Sequence, residues 1–355
     1  MSRLFVEQIE QQTGTILTEA ARKIFFSAIL LHDLGHGPFS HAFERVSGED
    51  HEDRTEEILT DEDTEIRSIL ADCDKQLPAA VRDFQSSAFA GSAELPRVFK
   101  NIHSSQLDAD RFDYLLRDSY AAGVNYGSFE HNWLISHLYV AENERLYLGR
   151  KALLAAEAYV FARHHMYQIV YFHKTTRSAE AMFRAFLSKY KALVKADEDL
   201  EDPVLKTEVP VQIRQAFKDD ALPLRDYLFL DDHSMTQLMK ISEKAKDDTF
   251  RELGSALLNR RLFKCVEGPP DRETLKVYED RLMKLGMDPN YFLLEDKASD
   301  TPYKTYDPDS SDPASLIMIE NNDGKLVDLS SASEAVSILS RKKTMYRLYF
   351  HEKAR

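Results

Sequence analysis

The stretch Ile29-Leu30-Leu31-His32-Asp33-Leu34-Gly35-His36-Gly37-Pro38-Phe39-Ser40-His41 constrains this chain more than any other. Ile24, Phe25, Ala28, Ile29 and Leu31 lead into it at helical spacing, and Thr18 is placed to cap the helix start. Gly35, Gly37 and Pro38 then end the helix. The pattern predicts an apolar helix over 18–33 that delivers His32, Asp33, His36 and His41 where the backbone turns. Imidazole beside carboxylate suits a borderline or hard divalent metal. A His-Asp pair at a helix end can also simply satisfy itself. Three His and an Asp within ten residues, beside two Gly and a Pro, favour the metal.

A second stretch runs Ser104-Ser105-Gln106-Leu107-Asp108-Ala109-Asp110-Arg111-Phe112-Asp113-Tyr114-Leu115-Leu116-Arg117-Asp118. On a helix over 104–120, capped by Ser104 or Ser105, the residues Asp110, Arg111, Tyr114 and Asp118 share one face. Phe112, Leu115 and Leu116 point toward a core. The polar face is equally readable as a surface laced with Asp–Arg pairs. In a third stretch, Arg163 to Lys174, the residues Arg163, Tyr167, Tyr171 and Lys174 fall at i, i+4, i+8 and i+11. One continuous helix over 152–193 would line up two cations and two phenols. Arg grips phosphate oxygens bidentately, Lys adds a point charge, and Tyr contacts a sugar or base. An aromatic core stripe with snorkelling cations is the plainer alternative.

Periodicity gives further helices over 52–60, 64–73, 78–87 and 129–139, with a small hairpin or extended piece at 143–149. The acidic, Pro-ended run 195–203 reads as a solvated connection. Beyond it come helices near 208–217, 232–245 and 247–258. Then β-prone runs appear at 262–266, 291–294, 316–319, 326–328 and 345–350, with helices at 271–285 and 331–341. Asp323-Gly324 is a hairpin signal. Tyr303–Pro313 reads as a polar loop. The expected architecture is mostly α: a helical catalytic lobe over 1–194, then a smaller C-terminal α+β lobe over 204–355.

The chain has 355 residues, enough for a sizeable core. No apolar run approaches the ~18 residues a membrane helix needs, and no signal-peptide pattern opens the chain. Two cysteines, Cys73 and Cys265, make no disulfide framework, so a reducing cytoplasm is the expected home. A net charge of −14 argues against broad nucleic-acid binding but leaves room for an anionic small substrate in a locally cationic cleft.

Together the three stretches resemble the metal-dependent HD-domain phosphohydrolases. His-Asp-Leu-Gly-His-Gly-Pro-Phe-Ser-His with Asp-Ala-Asp-Arg-Phe-Asp-Tyr-Leu-Leu-Arg-Asp is most similar to the deoxynucleoside triphosphate triphosphohydrolase branch. The resemblance runs to at least Arg177 and continues more weakly through Arg260–Lys264. It implies His32, Asp33 and Asp110 as metal ligands, with Mg, Mn, Fe, Ni or Zn undistinguished. It implies His51, followed by Glu52, as the catalytic histidine, and His36 and His41 along the phosphate side. Arg111, Arg163 and Tyr114 match triphosphate contacts. Asp118 and Tyr171 match groups around the sugar 3′-hydroxyl. Tyr167 is available to a nucleoside, and Lys174 and His173 end that segment. The implied reaction splits a dNTP into deoxynucleoside and inorganic triphosphate, in a homo-oligomer, dimer or tetramer. The family's first ligand His lies in an upstream segment, and this sequence has no His before His32. The expectation is therefore a chain lacking that segment. The alternatives are an HD phosphatase for another phosphoester and a catalytically impaired nucleotide-binding or assembly subunit.

Overall fold

The computed structural model describes residues 1–218, 222–300, 316–340 and 343–355. The expected polar loop at 303–313 lies outside the described residues. The chain forms two compact units. Unit one comprises Met1–His32, Leu59–Tyr171 and Ser299–Lys343; unit two comprises Asp33–Ile58, Phe172–Ala298 and Thr344–Arg355.

In unit one, the helix Glu19–Leu31 begins where the Thr18 hydroxyl accepts from the Ala21 N–H at 3.1 Å. Its apolar stripe buries Ala21, Phe25, Ala28 and Leu31. Phe25 meets the edges of Phe84 and Phe99, at 5.9 and 5.7 Å between ring centroids, from helices Leu77–Gln85 and Val98–His103. Burial of each such ring contributes on the order of 1.5–3 kcal/mol. Phe112 on the helix Ala109–Ala121 packs against Phe5, Phe129 and Tyr159. A four-stranded sheet completes this unit. Leu138–Val140 and Leu146–Leu148 form a hairpin, Met318–Glu320 pairs parallel with the second strand, and Leu326–Asp328 closes the edge. Gly324, at φ 74°, makes the turn expected at Asp323-Gly324.

Unit two is organised on the long helix Lys174–Lys195, which buries Ala181, Met182, Ala185, Phe186 and Tyr190. Phe186 and Tyr190 stack on Phe250 of the helix Asp248–Leu258. The short helix His41–Ser47 packs on the same long helix, and its Phe43 meets Phe217 edge-on. A three-stranded sheet places Lys343–Phe350 between Lys264–Glu267 and Leu293–Asp300. The fold is mostly helical with small sheets and a C-terminal α+β region, as expected.

Several boundaries differ from the sequence reading, each for a physical reason. The units are not two successive lobes parted at 195–203, because the strands at 318–328 pair with a strand at 146–148 and so return to unit one. The acidic run is not a solvated connection. Asp199 and Asp202 are buried; Arg214 Nε donates to Asp199 at 2.6 Å, and Asp202 caps the helix Pro203–Glu208 while accepting from the Lys246 N–H. The expected helix over 104–120 starts only at Ala109 and runs to Ala121, after a separate short helix Val98–His103, and its cap is Asp108, not Ser104 or Ser105. Asp108 Oδ1 accepts from the Arg111 N–H at 2.7 Å. The long helix over 152–193 is interrupted too. Leu153–Met166 passes into a π-turn at Tyr167–Tyr171, and a new helix starts at Lys174 with His173 as its cap. Tyr291 and Phe292 close a helical turn before their strand begins. No helix among the described residues is long and apolar enough to cross a membrane.

Candidate active site

Unit one contributes His32 at the C-terminal end of the Glu19–Leu31 helix and Asp110 in the first turn of Ala109–Ala121. His32 Nδ1 lies 2.9 Å from the Ile29 carbonyl oxygen. A carbonyl only accepts, so Nδ1 is the donor there, and the nitrogen left to face a metal is Nε2. That Nε2 faces Asp110 Oδ1 at 4.0 Å. Zinc-type bonds to His and carboxylate run about 2.0–2.2 Å each and hold tetrahedral ligand atoms roughly 3.3 Å apart, so a side-chain adjustment of under about 1 Å would bring the two atoms onto one divalent ion. A backbone carbonyl holding the far ring nitrogen is the usual support of a ligating histidine. The donor set therefore fits a divalent metal. Asp33, the next residue after His32, is exposed and opens unit two.

His103 stands edge-on to His32, with 5.7 Å between ring centroids, and was not anticipated from sequence. Both its ring nitrogens are buried and have no hydrogen-bond partner among the described residues. Burial, then the charge of Lys100 and His32, pushes its imidazole down to about 3, so it stays neutral.

Unit two gathers His36, His41 and His51 around Glu44. His36 and His51 stack nearly parallel, 8° apart with centroids at 4.0 Å, and His41 sits edge-on to both. His41 Nδ1 donates to Glu44 Oε2 at 2.6 Å, and His51 Nδ1 donates to Glu44 Oε1 at 2.7 Å. The His51 backbone N–H adds a third bond to Glu44 Oε1. Phe39 and Ser40, at φ 56° and 54°, hold the turn that delivers His41 in a conformation L-residues rarely adopt. The Phe39 N–H is pinned by Asp232 Oδ1 at 2.8 Å.

Partial burial opposes charge on Glu44, but the hydrogen bonds from His51 and His41 outweigh it and hold the carboxyl at about 2. Burial likewise opposes charge on His51, yet the bond and charge of Glu44 raise it above its ordinary 6.5. His36 moves the other way, lowered by burial and then by the neighbouring His51. The signs set a pH window. Glu44 contributes stability above 4.5 that is lost as pH falls toward 2; His51 contributes below 6.5 and loses it as pH rises through its raised value. In Glu44→Gln the His51 pKa is expected to fall toward or below 6.5, read by a proton NMR titration of its ring. An unmoved titration would remove Glu44 as the cause.

Glu52, the expected companion of His51, is exposed, and its backbone N–H donates to Asp50. The carboxylate bonded to His51 is Glu44, which sequence reasoning missed. The spacing His41-x-x-Glu44 at the start of a helix carried a signal; the seven residues from Glu44 to His51 carried none.

In unit one, Arg163, Tyr167, Tyr114, Tyr171 and Asp118 form a second group. The Arg163 guanidinium lies over the Tyr167 ring, 5.4 Å from its centroid. Tyr171 Oη donates to Asp118 Oδ2 at 2.7 Å, and its ring meets Tyr167 and Tyr114. Burial raises Tyr114 and Tyr171, so both phenols remain donors at neutral pH. Arg111 takes a local role: its guanidinium donates to the Ser105 carbonyl and lies 3.7 Å from Asp108. Lys174 is not on a shared stripe with Arg163, because the π-turn and the non-helical His173 intervene; it is exposed at the start of the next helix in unit two.

The sequence pattern of the HD domain matches residues 3–117, and that of an HD-associated region matches 129–202. An uncharacterized Bacillus subtilis protein, YwfO, is 33% identical over 94% of this chain and 74% of its own length. A Dictyostelium discoideum protein named as a deoxynucleoside triphosphate triphosphohydrolase SAMHD1 homolog is 27% identical, over 71% of this chain and 45% of its own length. The crystal structure of a phosphohydrolase from Bacteroides thetaiotaomicron superposes with a TM-score of 0.78 at 27% identity, covering 98% of this chain and 84% of that one. The structure of a hypothetical protein from Aquifex aeolicus superposes at 0.69 and 25% identity, covering 100% of this chain and 82% of that one. A mostly helical fold with a His-Asp turn and a distant aspartate facing its histidine defines a phosphohydrolase of the metal-dependent helical class. The chain belongs to the HD-domain family.

Proposed function

We propose that this protein hydrolyses deoxynucleoside triphosphates to deoxynucleoside and inorganic triphosphate, with a divalent ion held by His32, Asp33 and Asp110. The observation that carries the reading is the placement of His32, whose Nδ1 lies against the Ile29 carbonyl while its Nε2 faces Asp110 at 4.0 Å. The dNTP specificity rests on the likeness of the motifs to the triphosphohydrolase branch and on the Dictyostelium relative's name. When bound, the ion polarises a phosphoryl oxygen and makes a coordinated water more acidic.

The other roles belong to the chain's own side chains. His51, with its proton affinity raised by Glu44, holds the proton that the leaving 5′-oxygen must receive. His36 and His41 offer further donors to the phosphate chain, and Arg163 offsets the charge that develops there. The hydrogen-bonded pair Tyr171–Asp118 is rigid enough to recognise a 3′-hydroxyl, with Tyr167 and Tyr114 packed beside it.

Incubating the full chain with manganese or magnesium and each dNTP, then separating products by ion chromatography, tests the reading. Inorganic triphosphate with deoxynucleoside is the expected pair. Orthophosphate or pyrophosphate in its place would assign another phosphoester chemistry. Nucleotide bound without any release would move the protein to a binding role.

A further inference from the structure

Unit two holds a donor set that the hydrolytic reading does not require as a metal site. His36, His41, Glu44 and His51 each offer a ligand atom, and these atoms lie within 4.8 Å of one another. Atoms that share one tetrahedral ion through bonds of about 2.0–2.1 Å sit roughly 3.3 Å apart, so the side chains must rotate to close the cage, His36 and His51 turning out of their parallel stack so that both lone pairs, which lie in the ring planes, meet one ion.

The orientation of the rings matters as much as their proximity. His41 and His51 each donate Nδ1–H to a different oxygen of Glu44. Each neutral ring then has its lone pair on Nε2. His36 Nδ1 lies 3.2 Å from the Ser40 hydroxyl, which ties that ring on the same side. A carboxylate or hydroxyl behind the ring is how ligating histidines are held and made more basic. The strained turn at Phe39 and Ser40 and the bond from Phe39 to Asp232 fix where His41 starts its helix. A pair of proton-sharing groups needs one imidazole and one carboxylate. Three imidazoles clustered with one carboxylate also make up the ligand count of a transition-ion site.

We propose that His36, His41 and His51, with Glu44 behind them, form a binding site for a borderline transition ion of the zinc class, separate from the pair His32 and Asp110. Imidazole nitrogen selects zinc, cobalt, nickel or copper over magnesium and calcium, which want oxygen. Under the hydrolytic reading, an ion on His51 takes the lone pair that proton transfer uses, so occupation of this cage inhibits turnover. The binding itself does not depend on that reading.

The test uses the metal-stripped full chain and cobalt(II) as probe, with bound metal counted by elemental analysis and its coordination followed by visible absorption. The double substitution His41→Gln with His51→Gln is expected to bind about one cobalt fewer per chain than the parent, with loss of the intense bands of low-coordinate cobalt. Asp110→Asn is expected to keep those bands, since that residue belongs to the other site. Glu44→Gln, milder and less able to disturb folding, should weaken cobalt at the cage by about 10–100-fold. A tenfold excess of magnesium should not displace it. Unchanged cobalt stoichiometry in the double variant, loss of the bands in Asp110→Asn, or displacement by magnesium would each overturn the site.

Discussion

Gly35→Ala is expected to lower the melting temperature sharply and to abolish phosphoester hydrolysis. A Cβ at this position would stand 2.0 Å from the His51 carbonyl oxygen and 2.5 Å from the Thr55 nitrogen, both backbone atoms. No side-chain rotation relieves such a clash, so the first turn of the His51–Thr60 helix must move. Gly35 is held from two further sides: its N–H donates to the Thr55 hydroxyl at 2.9 Å, and its carbonyl accepts from Tyr227 at 2.5 Å. Overpacking of this kind costs about 1–3 kcal/mol, and more where backbone must shift. Because the displaced segment carries His51, the bond it donates to Glu44 should break as well. The φ of Gly35 is not positive, so the effect is pure crowding, and Gly35→Ser should behave alike. Calorimetry and an NMR titration of His51 read the two consequences separately. A variant that melts with the parent and keeps a raised His51 would refute the crowding argument.

Asp110→Asn and His32→Gln are each expected to cut hydrolysis by more than ~100-fold, since losing even a residue that only supports a metal ligand costs about 10–100-fold. Each should also lower bound metal in proportion. Neither should unfold the protein. Asp110 is partly exposed in the first turn of its helix, and Asp108, not Asp110, caps that helix. Asp110→Asn keeps the shape and removes only the charge that faces His32 Nε2. Hydrolysis retained at parental levels, with metal still bound, would take Asp110 out of the site and with it the proposed ligand set. Under the proposed function the same variants distinguish catalysis from binding: any nucleotide affinity supplied by the group around Arg163 and Tyr171 should persist while turnover disappears.

Much of the candidate site could be proposed from the chain alone because its residues lie close together in sequence. His32, Asp33, His36 and His41 fall within ten residues after an apolar helix, and Asp110 lies in the first turn of a helix whose polar face was readable by spacing. Tyr171 and Asp118, fifty-three positions apart, were both singled out, and a 2.7 Å hydrogen bond joins them. Glu44 was missed because its meaning lies in two partners, one of them across a turn and into another helix. His103 was missed because a lone histidine before two serines carries no periodic signal; only packing places it beside His32.

Helical class, the cap at Thr18, the break after His32 and the hairpin at Asp323-Gly324 follow from the sequence itself, since spacing, capping and glycine conformation act over a few residues. What only the tertiary structure decided is longer in range. The strands at 318–328 join a sheet begun at 138–148, the acidic run 195–203 is held in by Arg214 and Lys246, and the helix after Met166 winds into a π-turn that separates Lys174 from Arg163. Each of these depends on which surfaces meet across many residues of chain, and local propensity is too weak to choose among such meetings.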